Sequence, residues 1–176
     1  MTATAYKYLD IGISVGPISY VEMILGDNKG NQIILSYATW KTFMEQRANV
    51  EQFVQSTVSS RLSVRDLIIE LVKIRDEDIV KLMLCDNYMY IKPSTLLFLF
   101  EIEDCVDYVC HQMHQNTFSV SDKYKQFITI IRQNHITNKS DAAKLLREKY
   151  DKTCLVECEL IAYALDNIVY NALYDK

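Results

Sequence analysis

Glycine and proline are scarce, four and two in 176 residues, so no Gly/Ser-rich or Pro-rich linker divides the chain. No run approaches the ~20 apolar residues that a membrane-spanning helix needs, and no membrane partner is expected. Met1 to Asp10 lacks the basic-then-apolar pattern of a secretory leader; an intracellular location, nuclear or cytoplasmic, is the expectation. The five cysteines are odd in number and show no framework spacing, which suits reduced thiols. There is no phosphate-binding Gly loop and no Gly-flanked Ser elbow. No His lies near a Ser or Cys in a way that suggests an activated nucleophile. The carboxylates Asp76, Glu77, Asp78, Glu101, Glu103 and Asp104 fall on turns and outer helix faces, where solvation explains them. Neither catalysis nor a cofactor is expected.

What is present is ordinary globular composition, 49% hydrophobic and 24% charged, enough to bury a core. The net charge of −4 weighs against tight, salt-driven binding to duplex nucleic acid, which usually needs a basic surface. The charge is uneven. Residues 61–116 are strongly acidic, whereas 121–152 carries Lys123, Lys125, Arg132, Lys139, Lys144, Arg147, Lys149 and Lys152 against Asp122, Asp141, Glu148 and Asp151.

The pattern along the chain reads as strands followed by helices. Tyr6 to Val15 alternates as a strand. Gly16-Pro17 is a turn, Tyr20 to Leu25 a second strand, and Gly26 to Asn31 a hairpin signal. Gln32 to Leu35 is a third strand, after which Ser36 caps a helix from Ala38 to about Gln55 with the stripe Trp40, Phe43, Val50, Phe53 and Val54. After a Ser-rich joint, Ser56 to Ser63, the order recurs. Strands are expected at Leu67 to Ile74, Ile79 to Leu84 and Tyr88 to Ile91, with polar turns at Arg75 to Asp78 and Cys85 to Asn87. Pro93 then opens a helix reaching about Met113.

The two halves superimpose as sequence. Trp40, Phe43, Val50 and Phe53 fall on Leu96, Leu99, Val106 and Val109 at one constant offset, and Ile33 and Leu35 fall on Met89 and Ile91 at the same offset. Val21, Met23 and Leu25 match Val80, Leu82 and Leu84 if the second hairpin is three residues shorter. Beyond residue 118 the periodicity is helical, with helices expected at Lys125 to Asn134, at Asp141 to Tyr150 behind Ser140, and at Cys154 to Tyr174 behind Thr153.

Cys110 and His114, and likewise Cys154 and Cys158, are one helical turn apart. Two such pairs on facing helices would make a Cys3His zinc site, but buried structural cysteine on amphipathic helices is far commoner, and no metal is assigned. The twelve tyrosines say more. Tyr6, Tyr8 and Tyr20 border the first sheet, and Tyr88 and Tyr90 share one face of the second. Lys7, Arg65, Lys73, Arg75, Lys81 and Lys92 lie in or beside the same strands. Aromatics interleaved with Lys and Arg suit stacking of unpaired bases plus phosphate contact, although strand propensity alone also accounts for Tyr.

The run Ile33-x-Leu35-Ser36-x-x-x-Trp40-x-x-Phe43, followed by Val50 and Phe53-Val54, resembles the signature of the transcriptional positive cofactor four family. The chain is also similar in plan to the Whirly proteins. The resemblance implies a curved antiparallel sheet and an internal pseudo-dimer of two tandem sheet-plus-helix repeats, 1–58 and 59–116; with the small helical module at 117–176, which periodicity alone indicates and the resemblance does not cover, the expected fold class is α+β. It implies a single-stranded DNA-binding accessory protein in transcription, replication or repair. Lys7, Lys29, Lys73, Lys81 and Lys92 would pair phosphates, and Tyr8, Tyr20, Tyr88 and Tyr90 would offer stacking platforms. A homo-oligomer and a protein partner on the C-terminal helices are further expectations. Two features depart from the family. The first hairpin, Asp27-Asn28-Lys29, is nearly neutral, and the second, Asp76-Glu77-Asp78, is acidic and would repel phosphate. One repeat is therefore expected to be structural only, and the alternative is a protein-interaction scaffold that keeps the fold.

Overall fold

The computed structural model describes residues 6–56 and 60–175. The expected boundary between the repeats, at 58 and 59, lies outside these residues. The chain forms two compact units: one made of 1–12 and 21–112, the other of 13–20 and 113–176. Both sheet-and-helix segments therefore fall in one unit, a division different from 1–58, 59–116 and 117–176.

In the first unit a three-stranded sheet has the order β1 (Lys7–Ser14), β2 (Tyr20–Asp27), β3 (Gln32–Ser36), with β1 and β2 running into the second unit at Ile13–Tyr20. Val21, Met23, Leu25, Ile33 and Leu35 are buried on one face, the period-two pattern of a half-buried sheet. Ser36 Oγ accepts the Thr39 N–H at 3.1 Å and so caps α1 (Tyr37–Glu45), as the sequence suggested. The single helix expected from Ala38 to Gln55 is instead two, because the chain leaves helical geometry at Gln46 before α2 (Arg47–Gln55).

The second sheet has four strands rather than three: β4 (Arg61–Val64), β5 (Leu67–Ile74), β6 (Glu77–Leu84) and β7 (Asn87–Ile91), all antiparallel neighbours. The extra strand, β4, lies in what the sequence presented as a Ser-rich joint. Four residues with one fully buried side chain, Val64, give too short an alternation to stand out. The turns are also tighter than expected. Arg75 and Asp76, both at positive φ, make the whole β5–β6 turn, and Glu77 already belongs to β6. Two successive positive φ values match the twist of a two-residue hairpin. α3 (Pro93–Glu101) and α4 (Glu103–Gln133) follow. The helix expected to stop near Met113 and the one expected at Lys125 to Asn134 are one continuous α4, since nothing between them breaks the backbone hydrogen bonds.

The break between α3 and α4 falls at Ile102, the position that corresponds to Gln46 at the constant offset read from the sequence. The strand correspondence needs correction. β3 pairs Leu35 with Met23 and Ile33 with Leu25, whereas β7 pairs Ile91 with Val80 and Met89 with Leu82. Met23 thus corresponds to Val80 and Leu25 to Leu82. The second hairpin is shorter by one residue, not three.

Contacts in this unit link the two sheet-and-helix segments. β3 lies beside β7, and α2 packs on α3. Lys41 of α1 holds Glu103 and Asp107 of α4 at 3.1 and 2.8 Å, with Asp107 before Glu103 holding the ammonium above the ordinary lysine range. Arg47 of α2 meets Glu101 of α3 at 2.6 Å. Phe43 and Phe100 stack with centroids 4.7 Å apart.

The second unit is helical around Tyr124, Phe127, Ile131, Leu146, Ile168 and Val169, with Ile13 and Val15 packed against them. α5 (Lys139–Lys149) is capped by Asn138, whose Oδ1 accepts the Asp141 N–H at 2.9 Å. Asn138 therefore takes the place expected of Ser140. α6 (Leu155–Glu159), a π-helical turn (Leu160–Ala164) and α7 (Leu165–Tyr174) form the last stretch. Cys154, rather than Thr153, stands at its N-cap, without a side-chain bond, because Thr153 is held by Asp151 through its N–H at 2.8 Å and its hydroxyl at 2.7 Å. Among the described residues no helix is long and apolar enough to cross a membrane.

Trp40 is fully buried and its Nε1–H lacks a hydrogen-bond partner among the described residues. The position uses the ring's volume and not its polar atom, and the corresponding Leu96 is equally buried. Trp40→Ala is expected to cost ~3–5 kcal/mol. Trp40→Phe, which keeps much of the volume and removes an unsatisfied donor, is expected to cost less than ~1.5 kcal/mol. Urea unfolding of the two variants measures both.

Candidate nucleic-acid interface

The β1 strand begins at the edge of a cleft in the first unit. The Tyr6 carbonyl accepts the Asn28 N–H at 3.2 Å, which fixes the start of β1 beside the β2–β3 hairpin. One residue on, Lys7 Nζ lies 3.0 Å from Asp27 Oδ2. Asp27 also accepts from the backbone N–H groups of Lys29 and Asn31 at 2.9 and 3.1 Å, and from Asn31 Nδ2 at 3.0 Å. Burial alone would raise its pKa, but the bonds from Asn31, Lys7 and the Lys29 backbone outweigh it and bring the value down to about 2. The hairpin that seemed merely neutral is thus wound around a buried carboxylate.

The cleft, of about 680 Å³, is lined by Tyr6, Lys7 and Lys29 from the first repeat. The second repeat adds Ile74, Arg75, Glu77, Ile79, Tyr90, Ile91, Lys92 and Thr95. Four cations therefore face one carboxylate along its walls. Tyr6 lies under two of them, with Lys7 Nζ at 4.7 Å and Lys29 Nζ at 5.9 Å from the ring centroid, within cation–π range. Lys29, Arg75 and Lys92 make no ion pair among the described residues.

Of the sequence-predicted residues, Lys7, Lys29, Tyr90 and Lys92 come together here. Tyr88 and Lys81 continue from Tyr90 on the open face of the second sheet. The Tyr88 and Tyr90 rings meet edge-on at 5.8 Å, and Lys81 Nζ lies 5.0 Å from the Tyr88 centroid. Tyr88 is 51% exposed and Tyr90 40%, so both rings offer a free face.

Four assignments fit less well. Lys7 is 7% exposed and committed to Asp27, which makes it a positioning group rather than a phosphate partner. Lys73 falls on the alternation of buried Leu71, opposite Asp78, so it points away from the face carrying Lys81 and Tyr90. Tyr8 lies over Gly26, where any β-carbon would overlap its ring, and borders a separate small cavity with Leu25, Phe98 and Leu99. Tyr20 belongs to the second unit.

Arg75 and Tyr6 were not among the assigned residues. Arg75 was hidden by the acids that follow it in sequence. A two-residue turn moves Asp76 and Asp78 out of the cleft lining and leaves Arg75 and Glu77 on it. Tyr6 carried no signal beyond being an aromatic at a strand start.

Among the described residues no group of three or more His, Cys, Asp or Glu is placed to hold a metal ion. Cys110 is buried, and burial, with the Asp107 charge adding to it, pushes its thiol pKa up. No family model, no curated protein and no solved structure matches this chain.

The Asp27 carboxylate carries a pH dependence. Its native pKa lies below the ordinary 3.8, so its stabilisation is complete above pH 3.8 and disappears as pH falls through about 2. The loss is expected to be on the order of 2 kcal/mol, and absent in Asp27→Asn. Chemical denaturation at a series of acidic pH values compares the two.

Proposed function

We propose that this protein binds single-stranded DNA as an accessory factor in transcription, replication or repair, without catalysis of its own. The observation that carries this reading is the cleft in which Lys29, Arg75 and Lys92, free of ion pairs among the described residues, stand beside Tyr6 and Tyr90. Unpaired cations supply phosphate contacts, and exposed rings supply sequence-tolerant stacking, the pairing that single strands require. The reciprocal contacts of β3 with β7, of α2 with α3 and of α1 with α4 support an internal pseudo-dimer. In a two-fold arrangement each contact between copies occurs twice with the roles exchanged, and these elements correspond pairwise. Resemblance to the transcriptional positive cofactor four pattern at Ile33–Val54 points the same way.

A second reading, a protein-interaction scaffold, rests on the other sheet. Its outer positions carry Asp10 and Glu22 with Ile24 and Ile34, an acidic and apolar surface that phosphate would avoid and a basic protein segment would suit.

Fluorescence anisotropy with a labelled unpaired oligonucleotide separates the two. With about three phosphates contacted, affinity is expected to fall roughly 10- to 20-fold between ~50 and ~200 mM salt. The triple variant Lys29→Glu, Arg75→Glu, Lys92→Glu is expected to lose at least that much at low salt. Tyr90→Ala is expected to cost ~1–3 kcal/mol from one lost stack. Lys144→Glu with Arg147→Glu, on α5, is expected to leave binding intact. If only this pair abolishes binding, the helical segment is the binder and the cleft is not.

A further inference from the structure

We infer that the cleft binds one single strand per chain and that its pseudo-symmetric counterpart is closed. The inference rests on the nucleic-acid reading and adds which copy of the repeated unit has kept the site.

The correspondence set by strand register and helix breaks carries Ile79, Tyr90, Lys92, Thr95 and the Lys29 hairpin of the cleft onto the other half of the unit. At the offset that places Trp40 on Leu96, Tyr90 maps to Ile34, Lys92 to Ser36 and Thr95 to Thr39. At the β2–β6 correspondence, fixed by Met23 against Val80 and Leu25 against Leu82, Ile79 maps to Glu22 and Lys81 to Ile24. The hairpin apex bearing Lys29 maps to Cys85-Asp86. At the counterpart, then, a stacking ring has become aliphatic, two phosphate-binding cations have become Ser and Asp, and an apolar wall has become Glu. Each change removes an attraction for a polyanion or adds a repulsion.

The chain also fills the counterpart with itself. Tyr6 immediately precedes β1 and lines the cleft with Thr95. Asp66 immediately precedes β5, and its carboxylate accepts the Thr39 hydroxyl at 2.8 Å. β4 packs along α1 at the same place. Thr39 is 1% exposed as a result, whereas Thr95 is only half-buried and faces the cleft. An internal carboxylate thus bonds to the residue whose partner in the other copy is left open to a ligand. The two departures in the hairpins leave open which repeat is structural only. The geometry assigns the loss to the first, because most of the open cleft is built from β5–β7 and α3.

The test is a stoichiometric titration of the full chain with fluorescein-labelled oligothymidylate of about 12 nucleotides, at concentrations well above Kd. One oligonucleotide per chain is expected. Lys29→Glu with Lys92→Glu should weaken binding at least tenfold, and Glu22→Gln with Asp66→Asn at the counterpart should change neither affinity nor stoichiometry. Two oligonucleotides per chain, or one shared by two chains, overturns the one-sided assignment and leaves the nucleic-acid reading standing. Absence of saturable binding by the unaltered chain removes both. Photocrosslinks to the unaltered chain should fall on the peptides holding Tyr6 and Tyr90; crosslinks on the peptide holding Ile34 would overturn the assignment even if a variant failed to fold.

Discussion

Two apolar sheet faces, each too large to leave in water, constrain the first unit more than any single bond does. One is lined by Met23, Leu25, Ile33 and Leu35, the other by Ile69, Leu71, Val80, Leu82, Met89 and Ile91. Burial of side chains of this size is worth ~1.5–3 kcal/mol each relative to exposure, so each face requires a cover. Trp40 in one helix and Leu96 in another supply it, both fully buried. The helices break after about nine residues, at Gln46 and Ile102, which turns each cover into two short segments. The second segment of each pair is then free to meet the first segment of the other, and the ion pairs Lys41–Glu103 and Arg47–Glu101 sit at those meetings. As part-exposed pairs they fix the pairing of the helices more than they stabilise it.

Once both inner faces are covered, function is left to edges and outer faces, and there the halves diverge. The core positions tolerate Trp against Leu or Ile against Met because only volume and apolarity are demanded. The surface positions have no such demand, so Lys92 against Ser36 and Lys81 against Ile24 cost the fold little. One half can therefore carry a cationic cleft while the other becomes acidic, with no change in architecture. The buried Lys7–Asp27 pair is the exception, because charge there serves structure. It anchors the hairpin that carries Lys29, with Asp27 satisfied by four donors.

What the residues revealed in advance follows the same division. The strands from Leu67 to Ile74 and Gln32 onward, the Ser36 cap and the Pro93 start were all legible, because each rests on local periodicity or local capping. Strand β4 was not, since four residues with one buried side chain give no period. Nor was the hairpin correspondence, because alternation repeats every two residues and an error of two leaves the pattern unchanged; only the pairing of Leu35 with Met23 and of Ile91 with Val80 removes the ambiguity. The cleft was legible in part. Lys29, Tyr90 and Lys92 announced themselves as strand-end cations and an exposed aromatic. Their convergence with Tyr6 and Arg75 depends on how the repeats meet, which no local pattern encodes.

The overall charge of −4 and a polyanionic ligand are compatible on these grounds. Net charge governs solubility and long-range encounter, and it is screened beyond about 8–10 Å at physiological salt. Along the cleft walls Lys29, Arg75 and Lys92 stand against Glu77, while the charge of Lys7 is cancelled by Asp27. A cleft with low-dielectric walls concentrates that field toward its mouth. On the proposed reading, the acids elsewhere on the chain would repel duplexes and other extended polyanions, and a flexible single strand would be the ligand least penalised.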